Sequence, residues 1–231
     1  MKRYLDYLWP IIGLVAVVWS VELLWEKLKT EAGTDAVLLA RLEQGNLDVA
    51  NSLFRNSEEG ILTANDPAAT LTIDRSTFSR LGRCDRGLSC AHSVYTGEYG
   101  RVVVTHTRFE KGSGGHYLKA RAREVEISDN SFDDTQGTAT NYLIDLPSGS
   151  TGRITGNLLV QGRDKENYSA LIAVAAESRD NPSRGLVIEG NRASIPQGIG
   201  RSSVFVADWS GEPLAIGANQ IGPGLKPFEK R

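Results

Sequence analysis

The sequence is poor in the residues that build metal centres and reactive thiol sites. It has two cysteines and three histidines, and they do not stand at the spacing of zinc ligands. It also lacks a phosphate-binding glycine loop, a serine nucleophile elbow and a dinucleotide-binding fingerprint. The formal net charge is only −2, which gives no reason to expect nucleic-acid binding. We therefore expect no metal, no other cofactor and no nucleic-acid partner.

The overall composition excludes a disordered chain. Hydrophobic residues make up 40% and charged residues 23% of the sequence, close to globular averages. Glycine is abundant instead, with 24 among 231 residues, above the usual share of about 7%. Three of the four tryptophans fall at the N-terminus, at positions 9, 19 and 25, which marks that region as different from the rest.

A long uncharged run begins the chain. No residue from Leu8 to Val21 carries a charge, and continuation to Trp25 gives about 18 residues, roughly 27 Å of helix. Aromatic residues flank this run at both ends, as in a membrane-interface belt. We predict a single transmembrane helix over residues 8–28. The alternatives are a cleaved signal peptide, for which the cleavage context is poor, and a buried soluble helix.

The flanking charges predict an orientation. Lys2 and Arg3 precede the run, so the positive-inside rule places residues 1–7 in the cytoplasm and the following domain outside. We expect the bacterial inner membrane, with the following domain in the periplasm. Glu22 lies near the outer end of the span, where it sits at the headgroup level or contacts a helix of a membrane partner.

Apolar residues then recur at helical spacing between positions 36 and 54. Gly45 and Asn46 interrupt the pattern. We predict a short helical stalk or N-terminal cap within residues 29–59.

The remainder of the chain repeats one short pattern. It begins with Ile or Val, has Asn, Ser or Thr three residues later, and has an apolar residue five residues after the first. The six copies lie about 23 to 34 residues apart, a period typical of solenoids. They are Ile73-Ser76-Phe78, Val104-Thr107-Phe109, Ile127-Asn130-Phe132, Ile154-Asn157-Leu159, Ile188-Asn191-Ala193 and Ile216-Asn219-Ile221. The unit is too short for two helices and rich in β-branched residues. We predict an all-β, right-handed parallel β-helix of about six coils over residues 60–222, with a C-terminal tail at 223–231.

The asparagines of this pattern have a structural explanation. Asn tolerates the left-handed conformation that a turn between strands needs, and its amide can bond the same residue of the next coil. We predict an internal ladder of Asn130, Asn157, Asn191 and Asn219. Ser76 and Thr107 replace Asn in the first two copies, so the ladder should be weaker there.

A second set of strands aligns between these copies. Val94, Leu118 and Ile144 set its register, so Tyr95, Lys119 and Asp145 should stack on the opposite face. We call these three residues the ladder face and expect them to bind a partner. His92, His116 and Tyr142 have the parity of the apolar positions.

At these residues the sequence resembles a known family. The segments at 90–95, 115–122 and 141–147, read with the asparagine repeat, are similar to bacterial proteins of the pectate-lyase-like right-handed β-helix superfamily. The resemblance covers about residues 60–222. It implies the fold, whereas members of the superfamily include polysaccharide lyases, glycoside hydrolases, epimerases and non-enzymatic scaffolds, so it leaves the activity open.

One group of residues has the chemistry of a polysaccharide lyase, which needs a base and a cation near a substrate carboxylate. The group consists of His92, His116, Lys119, Arg121, Arg123 and Asp145. The alternative is an ordinary surface pair between Lys119 and Asp145. Asp133, Asp134 and Asp145 are weaker candidates for a glycosidase site, and Asp129, Asp133 and Asp134 form the acidic cluster that a calcium ion would need.

Cys84 and Cys90 enclose a turn-like loop. We expect a disulfide between them if the domain lies outside the cytoplasm, and two free thiols otherwise.

These observations favour a non-catalytic accessory or scaffold subunit. It would be anchored in the inner membrane, with a periplasmic β-helix that binds an integral membrane protein assembly or a glycan. The alternative is a membrane-tethered polysaccharide lyase or a related carbohydrate-active enzyme, with Lys119, Arg121, His116 and Asp145 as the catalytic candidates.

Overall fold

The computed structural model describes residues 40–231 except Arg86 and Leu88. In chain order its strands are β1 (Ala40–Leu42), β2 (Leu47–Ala50), β3 (Leu53–Ser57), β4 (Ile61–Thr63), β5 (Asp66–Asp74), β6 (Thr77–Leu81), β7 (Val94–Thr96), β8 (Tyr99–Thr105), β9 (Arg108–Glu110), β10 (Leu118–Ala120), β11 (Glu124–Ser128), β12 (Ser131–Asp133), β13 (Ile144–Leu146), β14 (Thr151–Thr155), β15 (Leu158–Val160), β16 (Ala170–Val174), β17 (Val187–Glu189), β18 (Arg192–Ser194), β19 (Ser203–Asp208), β20 (Ala215–Ile216), β21 (Gln220–Ile221) and β22 (Leu225–Lys230).

The strands form three parallel sheets. Sheet A has eight strands in the order β1-β4-β7-β10-β13-β16-β19-β22. Sheet B runs β2-β5-β8-β11-β14-β17-β20, and sheet C runs β3-β6-β9-β12-β15-β18-β21. Each strand pairs with the strand three places later in the chain, so every coil contributes one strand to each sheet. This is the arrangement of a parallel β-helix, as the repeat predicts.

The six predicted copies of the repeat lie in register on sheets B and C. On sheet B, for example, Val104 pairs with Ile127, which in turn pairs with Ile154. The apolar residues of sheet C stack inside the solenoid, where the rings of Phe109 and Phe132 are parallel with centroids 4.7 Å apart. Burial of this apolar column is the main stabilising contribution to the fold.

The predicted helical stalk is wrong for the residues that the structure describes. Residues 40–57 form β1, β2 and β3, which make a coil of the solenoid before the first predicted one. Val49 pairs with Ile73, and Phe54 pairs with Phe78 at a ring distance of 4.7 Å. Pairing with the next coil satisfies the backbone of these strands, which outweighs the helical spacing of their apolar residues.

The described part of the chain contains no α-helix, and therefore none that is long and apolar enough to cross a membrane. The predicted fold class is a β-helix preceded by a transmembrane helix and a helical stalk. From residue 40 onward, the structure corrects it to an all-β chain. The predicted span over residues 8–28, including Glu22, lies outside the described residues.

The C-terminal segment also differs from the prediction of a tail over residues 223–231. Residues 225–230 form β22, which pairs with β19 through Val206 and Phe228. This last strand of sheet A contains Lys226, Pro227 and Lys230. Lysine and proline on an edge strand disfavour pairing with a further chain.

The asparagine ladder runs between sheets B and C. The backbone N–H and the side-chain amide of Asn130 both donate to Oδ1 of Asn157, at 2.9 and 3.0 Å. Asn157 donates in the same way to Asn191, and Asn191 to Asn219. In the first coils the links are single and longer, with Ser76 N–H to Thr107 Oγ1 at 3.3 Å.

The left-handed conformation in these turns belongs to a different residue from the one expected. Except at Asn219, the residue immediately before each ladder position adopts it, with φ of 46° at Arg75, 49° at His106 and 59° at Asp129. Glycine takes this place at Gly156 and Gly190. The asparagines therefore serve the ladder by hydrogen bonding and not by their tolerance of positive φ.

The two cysteines are bonded to each other. A disulfide joins Cys84 to Cys90, which confirms the pairing expected for an oxidising compartment. Gly115 N–H donates to Sγ of Cys84, which links the disulfide loop to the next coil.

Candidate functional site on sheet A

The ladder face lies on the outer side of sheet A in the register that the sequence predicts. Lys119 pairs with Tyr95 on one side and with Asp145 on the other. The side chains of Lys119 and Asp145 are only 10% and 3% exposed. The face is therefore a packed polar surface, not a set of freely solvated side chains.

The histidines lie on this same outer face and not beside the apolar core, which corrects the predicted parity. Strict alternation breaks at Tyr117, whose ring lies 6.5 Å from Phe109 inside the solenoid, next to the equally buried Leu118. Two consecutive inward residues bring His116 to the side of Lys119. The reason is the bend before β10, since a strand alternates only while it stays extended.

The histidine side chains connect the coils along the face. The His92 and His116 rings lie 4.8 Å apart, and His116 N–H donates to Nδ1 of His92 at 3.0 Å. His116 also lies 5.6 Å from the Tyr142 ring and places Nε2 3.5 Å from Oδ2 of Asp145. His116, Lys119 and Asp145 are thus brought together.

A residue that the sequence analysis did not single out completes the cluster. Glu177, in the loop after β16, accepts hydrogen bonds from Lys119 on one carboxylate oxygen and from Arg121 on the other. Lys119 Nζ also lies 3.4 Å from Asp145. Since 58 residues separate Lys119 from Glu177, the pairing has no local sequence signal. The only signal for this loop in the sequence is the high charge of residues 177–184.

Arg121 is held by three different partners. Its Nε donates to the Tyr95 hydroxyl and its Nη1 to Oγ of Ser148, both at 3.0 Å, in addition to Glu177. Burial opposes its charge, yet the hydrogen bonds that Arg121 donates to Tyr95 and Glu177 raise its pKa above its ordinary value. The guanidinium is therefore a permanent positive charge in a fixed orientation.

The electrostatics separate the remaining groups. Burial raises the pKa of Asp145 to about 6, although the nearby Lys119 ammonium lowers it. Burial and the charge of Lys119 lower the pKa of His92 to about 3, and burial likewise keeps the pKa of His116 well below its ordinary value. The two histidines are therefore neutral at physiological pH, and Asp145 is the group that changes charge close to it.

Other sequence candidates lie elsewhere. Arg123 is exposed, and its carbonyl accepts a hydrogen bond from Thr151. The Asp133 carboxylate accepts hydrogen bonds from the backbone N–H and the hydroxyl of Thr135 in the turn that follows. In the part of the chain that the structure describes, no group of three or more His, Cys, Asp or Glu side chains is arranged to hold a metal ion.

Asp134 belongs to a second, completely buried network. Its carboxylate lies 2.8 Å from Nζ of Lys165, and both side chains are 0% exposed. It also accepts hydrogen bonds from the hydroxyls of Tyr117 and Thr140 and from the Gly162 N–H. All of these donors are directed at one carboxylate, and the network joins three coils. Because Asp134 and Lys165 are completely buried, a substrate cannot reach them.

The pKa of His92 predicts how one part of the stability depends on pH. A folded-state pKa of about 3, below the ordinary value of 6.5, means that the unfolded chain binds the proton first. The stability contributed by neutral His92 is present above pH 6.5 and is lost as the pH falls toward 3. The slope is at most about 1.4 kcal/mol per pH unit.

We expect His92→Gln to remove this slope. The stability difference between the wild-type protein and H92Q should therefore shrink as the pH falls from 7 to 4, measured by urea unfolding at each pH. Glu59 and Asp145 have raised pKa values and act in the opposite direction in both proteins, so they cancel in the difference. A difference independent of pH would contradict the burial of a neutral His92.

Comparison with known proteins does not assign the chain to a family. The chain matches no protein-family model, and it matches neither a curated protein nor a solved structure. The structure itself defines the class, an all-β parallel β-helix with a polar cluster on the outer face of sheet A.

Proposed function

We propose that this protein is a non-catalytic accessory or scaffold subunit whose ladder face binds an acidic glycan. The observation that carries the proposal is the cluster of Lys119 and Arg121 on the outer side of sheet A, where Tyr95, Ser148 and Glu177 orient the cationic groups. Pre-oriented cations recognise carboxylates without the entropic cost of ordering free side chains.

The proposed location is the periplasm of a bacterium, with a membrane protein assembly as the subunit's other partner. The Cys84–Cys90 disulfide supports an oxidising compartment. The inner-membrane location and the membrane partner come from the sequence of the N-terminal region.

A polysaccharide lyase is the second candidate. Asp145 favours it, because its pKa of about 6 suits a general base and its Oδ1 is buried without a hydrogen-bond partner. Against it, the Asp145 side chain is only 3% exposed and lies 3.4 Å from Nζ of Lys119, so the carboxylate that would act as the base is covered from a substrate.

A double variant, Lys119→Ala with Arg121→Ala, distinguishes the two candidates. The full-length protein and the variant are compared for binding to polygalacturonate and for release of unsaturated products from it. We expect the wild-type protein to bind without releasing product, and the double variant to lose binding by tenfold or more, because both carboxylate donors are gone.

The matched control removes two exposed cations from the other sheets, Arg153→Ala with Arg192→Ala. It should bind as the wild-type protein does, which separates the ladder face from net charge. Product release that the double variant abolishes would establish the lyase instead. If the wild-type protein does not bind the polymer, the glycan proposal is contradicted. Arg121→Gln alone serves as a milder variant if the double variant does not fold.

A further inference from the structure

Glu177 has the position of a ligand carboxylate. Its two oxygens accept from two different cations, Oε1 from Lys119 and Oε2 from Arg121. A bridging carboxylate of this kind is the geometry in which an arginine and a lysine bind a carboxylate from another molecule. The cations are largely covered, whereas the Glu177 side chain is 45% exposed.

The backbone around Glu177 is fixed. Glu177 N–H and Ser178 N–H both donate to the Pro147 carbonyl at 2.9 Å. Asn181 anchors the same loop, since its side-chain amide donates to the carbonyls of Arg121 and Gly149. Release of the two cations therefore requires only that the Glu177 side chain rotate into solvent, with the loop remaining in place.

We propose that Lys119 and Arg121 form a carboxylate-binding site that Glu177 closes from within the chain, and that a uronate carboxylate of an acidic glycan opens it by exchange. This inference rests on the proposed function and specifies the ligand group that the ladder face recognises. The exchange conserves charge, because one carboxylate leaves the two cations as another arrives. No covalent step is involved.

The surroundings favour a sugar acid over an acidic peptide. The Tyr95 ring lies 5.9 Å from both cationic groups, and the Tyr142 ring lies on the neighbouring coil against His116. Both tyrosines are half-buried, so each presents a rigid ring with a polar end. Such amphipathic surfaces suit a sugar ring, which combines an apolar face with hydroxyl groups.

A tethered carboxylate competes with the ligand as if it were present at millimolar concentration. If the open form makes up about one tenth of the molecules, the apparent dissociation constant is about tenfold higher than that of the open site. Removing the internal carboxylate should restore this factor. Glu177→Gln keeps the shape of the side chain and removes its charge.

The experiment measures binding of polygalacturonate fragments to the full-length wild-type protein and to E177Q. The control, Glu124→Gln, removes an exposed carboxylate paired with Arg101 on sheet B. We expect E177Q to bind about tenfold tighter than the wild-type protein and E124Q to bind within about twofold of it.

Other outcomes overturn it in distinguishable ways. Binding by the wild-type protein that E177Q leaves equal or weaker would contradict the exchange and leave the glycan function standing. Absence of binding by both proteins would contradict both. Equally tight binding of polyglutamate, with the same gain in E177Q, would assign the site to acidic peptides and contradict the glycan as its ligand.

Glu177→Asp serves as a second variant if E177Q does not fold. It keeps the charge but is one methylene too short to bridge both cations, so an intermediate gain in affinity is expected.

Discussion

Replacing Lys165 with methionine is expected to lower the free energy of unfolding by about 3–5 kcal/mol. The ammonium lies 2.8 Å from Oδ2 of Asp134 and 2.9 Å from Oγ1 of Thr140, and it also donates to the Asn141 carbonyl. Methionine has nearly the same length but no charge. Asp134 would then keep a buried negative charge with only neutral donors around it, which is the costly outcome of breaking a buried ion pair.

Urea unfolding of the full-length protein measures this effect. The matched control is Lys226→Met, which breaks a pair with Glu229 at 59% exposure of the lysine side chain and should cost less than about 1 kcal/mol. Adding Asp134→Asn to K165M removes the unpaired charge and should recover part of the lost stability. Equal losses in K165M and K226M would show that Lys165 is not enclosed as described.

Asn157→Ala is expected to have the second largest effect, a loss of about 3 kcal/mol or more. Oδ1 of Asn157 accepts from both the backbone N–H and the side-chain amide of Asn130, and its own amide donates to the Ile127 carbonyl. Asn157 is 1% exposed, so water cannot replace these bonds. Each buried polar group left without a partner costs about 1–3 kcal/mol.

The end of the same ladder provides the control for this variant. Asn219 makes the same bonds with Asn191 but lies partly exposed in the last coil, so Asn219→Ala should cost clearly less. Asn157→Thr copies the residue found at position 107 and should fall between the two, since one hydroxyl oxygen can still accept from the preceding coil. Thermal unfolding of the three variants tests this order. An N157A protein as stable as N219A would contradict the ladder's contribution.

The repeat made most of the fold predictable from the sequence. Apolar residues such as Ile127 and Phe132 stack in every coil, so the same pattern of apolar residues recurs in the sequence of each coil. The first coil also carries it, as Val49, Ser52 and Phe54, but apolar residues at helical spacing concealed it. The spacing of apolar residues in one segment does not distinguish two adjacent strands from a short helix. The choice depends on pairing with the next coil, which the sequence of a single segment does not reveal.

The candidate site was only partly predictable. The register of Tyr95, Lys119 and Asp145 follows from the apolar residues beside them, and the structure has that register. The place of His116 depends on the bend at Tyr117, which alternation does not foresee. Glu177 reaches the cluster from a loop two coils later, and nothing near either residue in the sequence links them.

The central claim is that the ladder face, and no other surface of the solenoid, binds the acidic glycan. A backbone amide chemical-shift map of the full-length protein during titration with polygalacturonate fragments tests it most directly. We expect saturable shifts at Tyr95, Lys119, Arg121 and Glu177, with sheets B and C unchanged. Shifts centred on the outer faces of sheets B and C, or none at saturating polymer, would contradict the account.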